Sequence, residues 1–218
     1  MKALPLETRK QLAAEIYKKL KELFPGEITT MLTYSNPWEL LVSVILSAQC
    51  TDKKINEITP ALFKRYKTLD DYITADAQKF ETYIFSSGFY RNKTKNILAA
   101  ARVVKEQFGG SIPKTMEEML TIPGVARKTA NVVLGNAHGI IVGIAVDTHV
   151  IRLSNVLLLS TNHDPVKIEK DLMEILPKEI WFDFTYHLIT YGRKYCIAKK
   201  HDHEACLLTP IVRRFQQA

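Results

Sequence analysis

The chain has 218 residues, of which 46% are hydrophobic and 24% charged, with a formal net charge of +7. A chain of this length buries a substantial core, as one large domain or two small lobes, and this composition excludes a disordered protein. No apolar run reaches membrane-spanning length, the start Met1-Lys2-Ala3-Leu4-Pro5 lacks the apolar stretch of a secretory signal, and three cysteines (Cys50, Cys196, Cys206) are too few for a disulfide framework. No membrane partner is expected, and the positive balance favours a polyanionic one.

Taken in chain order, nearly every segment reads as helix. Residues 7–24 place Leu12, Ile16, Leu20 and Leu23 on one stripe. Ser35-Asn36-Pro37 is a helix start with proline in the first turn, and the apolar run that follows to Leu46 predicts a central, buried helix. Thr51-Asp52 caps a further helix reaching about Tyr66. Helices are expected over 69–75, 77–86, 92–107 (stopped by Gly109-Gly110), 115–121, 127–137, 148–158, 165–176 and 179–195. The one strand-like run, Ile140–Val146, contains Gly143 and is read as a crossing between lobes. The expected fold class is therefore all-α with two helical lobes. The expected bounds are residues 30–140 for one lobe, as a helical barrel, and 1–29 plus 141–218 for the other.

Two basic clusters stand out: Arg91, Lys93, Lys95, Arg102 and Lys105, then Arg193, Lys194, Lys199 and Lys200. Either alone reads as a solvated helix face. More informative is 122–134. Pro123-Gly124-Val125-Ala126 turns between two helices, and Gly124 can take positive φ. An ordinary αα-hairpin also uses a glycine. What it does not require is Arg127, Lys128 and Thr129 opening the next helix, where cations oppose the helix dipole unless an anion is bound. A carboxylate follows 19 residues after Lys128, in Val146-Asp147-Thr148-His149. A phosphate cradle, an amine and an acid together point to chemistry on a DNA sugar.

At this point a resemblance becomes specific. Segment 122–134 resembles the helix–hairpin–helix of the endonuclease III family of DNA glycosylases, and Val146-Asp147-Thr148-His149 resembles its catalytic aspartate motif. Leu46-Ser47-Ala48-Gln49-Cys50-Thr51-Asp52, Gly88-Phe89-Tyr90 with Lys93, and Tyr191-Gly192-Arg193 with Cys196 fall in the family's order, so the similarity runs from about residue 36 to 206. The resemblance implies two lobes with a DNA-binding cleft between them. It implies base-excision repair of oxidised pyrimidines in double-stranded damaged DNA, by a monomer associated with the nucleoid in the cytoplasm. Lys128 becomes the nucleophile that expels the base and holds the sugar as a Schiff base, and Asp147 the assisting carboxylate. Partial burial beside other cations would help discharge such an amine.

The same resemblance places Gly124, Ala126 and Arg127 against the DNA backbone and sends Gln49 and Phe89 into the duplex to fill the gap left by a flipped nucleotide. Phe89 stands where the family commonly has a smaller aliphatic residue, and a ring can act as a wedge. His149 is read either as a packed histidine or as a phosphate contact. Asp52 falls near the family's base pocket, although capping alone would explain it. Lys199 and Lys200 match basic residues of a loop that touches phosphate.

Two departures follow. Ala126 occupies the place of a second glycine in the hairpin. Many family members hold an iron–sulfur cluster with Cys-x6-Cys-x2-Cys-x5-Cys; here the register reads Cys196, His203, Cys206 and Val212. Four thiolates hold an ordinary cubane and valine cannot ligate, so the expectation is no cofactor and no cluster, with the tail held by Leu207, Leu208, Ile211 and Val212. The alternative is zinc on Cys196, His201, His203 and Cys206, over a loop whose tetrahedral closure looks doubtful. Two other functional readings stay open: a monofunctional glycosylase for mismatched thymine or adenine, which needs no nucleophilic lysine, and a catalytically silent DNA-binding module.

Overall fold

The computed structural model describes residues 4–26 and 28–217. Among the described residues there is no strand. Twelve α-helices follow one another: α1 (Leu6–Leu23), α2 (Pro37–Leu46), α3 (Asp52–Arg65), α4 (Leu69–Ile73), α5 (Ala77–Ile84), α6 (Tyr90–Phe108), α7 (Met116–Met119), α8 (Arg127–His138), α9 (Thr148–Val156), α10 (Pro165–Ile175), α11 (Trp181–Lys194) and α12 (Thr209–Gln217). The all-α expectation holds. The helix starts follow their caps: Asn36, Thr51, Thr68, Asp76, Thr115, Asp147 and Asp164 each accept a hydrogen bond from a first-turn backbone N–H.

The chain divides into two compact units, Thr30–Ile140 and a second made of residues 1–29 with Ile141–Ala218. In the first, α2 is buried from Leu40 to Leu46 and packs on α3, α6 and α8. This run, apolar except for Ser43, therefore sits where no face meets water. Tyr66, Tyr72 and Phe80 pack against one another with tilted rings, and α4 and α5 pack on α6. In the second unit, α1 packs on α10, α11 and α12, and α9 on α11. Leu12, Ile16, Leu20, Val150, Leu153, Leu172, Phe184 and Leu188 form its core. His187, fully buried on α11, places Nδ1 2.8 Å from the Asp183 carbonyl and Nε2 3.0 Å from that of Phe24. That ring closes the end of α1 onto α11.

Three elements differ from expectation. The helix expected over 115–121 is the single turn α7, because Ile122 and Pro123 begin the hairpin. The helix expected over 179–195 splits into a 3-10 turn, Lys178–Ile180, and α11. The apolar tail forms a further helix, α12. Thr209-Pro210 is a helix start, and Ile211, Val212 and Phe215 pack on the core of this unit. Ile140–Val146 is neither helix nor strand.

Candidate active site and tail cluster

The hairpin joins α7 to α8. Val125 N–H donates to the Ile122 carbonyl at 3.1 Å, closing the turn, and Gly124 takes φ 81°. Space matters there as much as conformation: a Cβ on Gly124 would lie 2.9 Å from Asn96 Cβ on α6. Gly124→Ala is therefore expected to destabilise the protein by about 2–4 kcal/mol, from the left-handed backbone and the collision together. Urea denaturation checks this, and a midpoint unchanged from wild type would refute it. Ala126 is different. It is exposed, with φ −99° and ψ 170°, an extended backbone that any residue adopts. The second family glycine is thus not required by the conformation of this hairpin.

Ala126 is the N-cap of α8 and brings no capping side chain, and the first turn contains no acidic residue. Arg127 and Lys128 open the helix instead. A helix start of this kind, uncapped and cation-lined, favours a phosphate as its acceptor. Lys128 is exposed, so the partial burial expected for it is not supplied by this chain.

In the other unit, Asp147 is the N-cap of α9, and its Oδ1 accepts from the Val150 N–H at 2.8 Å. The cap engages one oxygen, and a carboxylate has a second to offer. His149 packs against α11: a Cβ on Gly192 would come 2.8 Å from its Nδ1. That contact favours the packed reading, with Gly192 making room for the ring.

Gln49 and Phe89 are both exposed, Phe89 by 67%. Both have a left-handed backbone, φ 54° and 49°; the remaining described non-glycine residue of this kind is Leu158. Such conformations cost about 1–2 kcal/mol each and persist where the surroundings enforce them. One side chain ties the segments ahead of both loops, in a role the sequence did not mark. Lys93, on the first turn of α6, is only 4% exposed. Its Nζ donates to the Leu46 carbonyl at 2.8 Å and to the Ser87 carbonyl at 2.8 Å, just ahead of the Gln49 and Phe89 loops. Burial pushes this ammonium below the ordinary lysine range, with Cys50 nearby opposing the shift. Within a run of surface cations, nothing in the spacing alone separates Lys93 from its neighbours. Asp52 is the first residue of α3, and the cap is Thr51, whose Oγ1 accepts from the Lys54 N–H at 3.2 Å. Asp52 instead adds an acidic side chain at the positive end of the α3 dipole.

The expectation of a tail without metal is overturned. The ligand atoms of Cys196, His201, His203 and Cys206 all lie within 4.8 Å of one another. The loop closes because α11 ends just before Cys196, a 3-10 turn at His203–Ala205 reverses the chain, and Cys206 leads into α12. Lys199 and Lys200 are exposed on the same loop. Val212 is buried in the core on α12, so the donors are two sulfurs and two imidazole nitrogens. Four thiolates, the set that holds an ordinary cubane, are not what these residues offer.

Residues 42–178 match the model of the HhH-GPD superfamily of base excision DNA repair proteins. The chain is 51% identical over 195 residues to endonuclease III of Synechocystis sp., covering 89% of each protein. The chain belongs to the endonuclease III family. Within that family it is 42% identical to the Bacillus subtilis enzyme, covering 91% of this chain and 90% of that one, and 37% identical to that of Escherichia coli K12, covering 89% and 91%. Its fold matches a trapped endonuclease III–DNA covalent intermediate with a TM-score of 0.89 at 38% identity, over 95% of this chain and 97% of the other. A non-covalent endonuclease III–DNA complex superposes with a TM-score of 0.88. The protein is a base-excision DNA glycosylase and lyase. Endonuclease III proteins typically carry a four-iron, four-sulfur cluster. No described helix is long and apolar enough to cross a membrane.

Proposed function

We propose that Lys128 is the nucleophile and Asp147 the assisting carboxylate in excision of oxidised pyrimidines from damaged double-stranded DNA. One observation carries this reading: Lys128 stands exposed in the first turn of α8, at a helix start with neither a capping side chain nor an acid. A strand phosphate received there brings its sugar to the amine. Lys128 Nζ attacks C1′, the glycosidic bond breaks, and the base leaves with the bonding pair and a proton. Asp147 offsets positive charge developing on the sugar and takes the proton the amine must lose. The C1′–O4′ bond then breaks, O4′ takes the proton held by Asp147, and the opened sugar carries a C1′=Nζ iminium that acidifies the C2′ hydrogen; loss of that hydrogen breaks the C3′–O bond and cuts the strand on the 3′ side. Water releases Lys128.

Gln49 and Phe89 fill the space of the extruded nucleotide, and Gly124, Ala126, Arg127, Lys199 and Lys200 face the DNA backbone. His149 supports α9 from within its unit. The enzyme is read as a monomer working on nucleoid DNA in the cytoplasm.

Borohydride tests the mechanism. With duplex DNA containing thymine glycol or an abasic site, the reduced Schiff base is expected as a covalent protein–DNA adduct. Base release with no adduct would make the enzyme monofunctional and remove the role given to Lys128.

A further inference from the structure

We infer that Cys196, His201, His203 and Cys206 hold a single tetrahedral zinc ion. Zinc bonds of about 2.3 Å to sulfur and about 2.0–2.1 Å to nitrogen give tetrahedral sulfur–nitrogen edges of about 3.6 Å. The distances fall around that value: His201 Nε2 to Cys206 Sγ is 3.3 Å, Cys196 Sγ to His203 Nδ1 is 3.6 Å, and Cys206 Sγ to His203 Nδ1 is 3.9 Å. Donors converging this closely surround one ion. Two cysteine thiolates would balance the charge of a divalent cation.

The atoms behind the donors fit the same reading. His201 Nδ1 lies 2.8 Å from the Lys199 carbonyl. A proton on Nδ1 directs the Nε2 lone pair at the shared centre, the support a ligating histidine ordinarily receives. Arg152 Nη1 on α9 donates to Cys196 Sγ at 3.3 Å and so fixes the position of that sulfur. Tyr191 Oη accepts from the Leu208 N–H at 3.2 Å and fixes the exit from the loop. Both cysteines are buried, at 1% and 6% exposure, while the histidines close the set from the solvent side. The ion thereby ties the end of α11 to the start of α12 and orders the loop that displays Lys199 and Lys200. Only the role of those lysines rests on the proposed function.

Metal and acid-labile sulfide are measured on full-length protein produced in medium supplied with both zinc and iron. One zinc per chain is expected, without stoichiometric iron or sulfide. Cobalt added to the chelator-stripped protein should give the intense visible bands of a tetrahedral sulfur–nitrogen site. Because the cysteines are core residues, the decisive variants are His201→Ala and His203→Ala, each expected to weaken zinc binding by more than about 100-fold. Stoichiometric iron with sulfide, no bound metal, or unchanged zinc affinity in both histidine variants would overturn the assignment. Borohydride trapping on the same preparations keeps this outcome separate from that of the mechanism.

Discussion

Lys128→Ala is expected to abolish the borohydride adduct and to slow strand cleavage at an abasic site by at least about 10³-fold. The variant should fold normally, since Lys128 is exposed and alanine is a good helix former in the first turn of α8. Circular dichroism and urea denaturation establish that; single-turnover cleavage of abasic duplex measures the rate. An adduct from Lys128→Ala would sink the mechanism. Asp147 requires a sharper control, because it also caps α9 through Oδ1. Asparagine caps as well as aspartate but carries no charge and is no base. Asp147→Asn should therefore keep its urea midpoint while base release falls by about 10²–10⁴-fold. Equal losses of stability and activity would instead assign Asp147 to structure alone.

Lys93→Met should destabilise the protein by about 2–5 kcal/mol, although it preserves the length and apolar stem of the side chain. Two buried carbonyls, those of Leu46 and Ser87, lose their donor together. Both precede loops whose tips, Gln49 and Phe89, sit in costly left-handed conformations. Releasing that tie should let both tips relax and weaken binding to abasic duplex by about tenfold, since the loops must then be ordered on binding. The measurements are a urea midpoint and a binding titration at fixed salt. A midpoint within about 0.5 kcal/mol of wild type would show that water replaces the ammonium without loss.

Much of this protein was legible in its sequence. The helix starts at Asn36-Pro37 and Thr51 were marked there, because a capping side chain acts within three residues and needs no tertiary partner. The hairpin, Lys128 and Asp147 were likewise visible as local chemistry in a fixed order. Tertiary structure decided the rest. That Lys93 is a buried tie and not a surface cation depends on carbonyls 47 and 6 residues away. That Gly124 has no room for a methyl group depends on Asn96. The tail shows the limit most clearly: spacing alone made closure of Cys196, His201, His203 and Cys206 look doubtful, yet the turn at His203–Ala205 and the burial of Val212 bring the four donors together. Caps and helix periods are set by neighbours along the chain. Burial and ligand convergence are set by neighbours in space, which spacing does not encode.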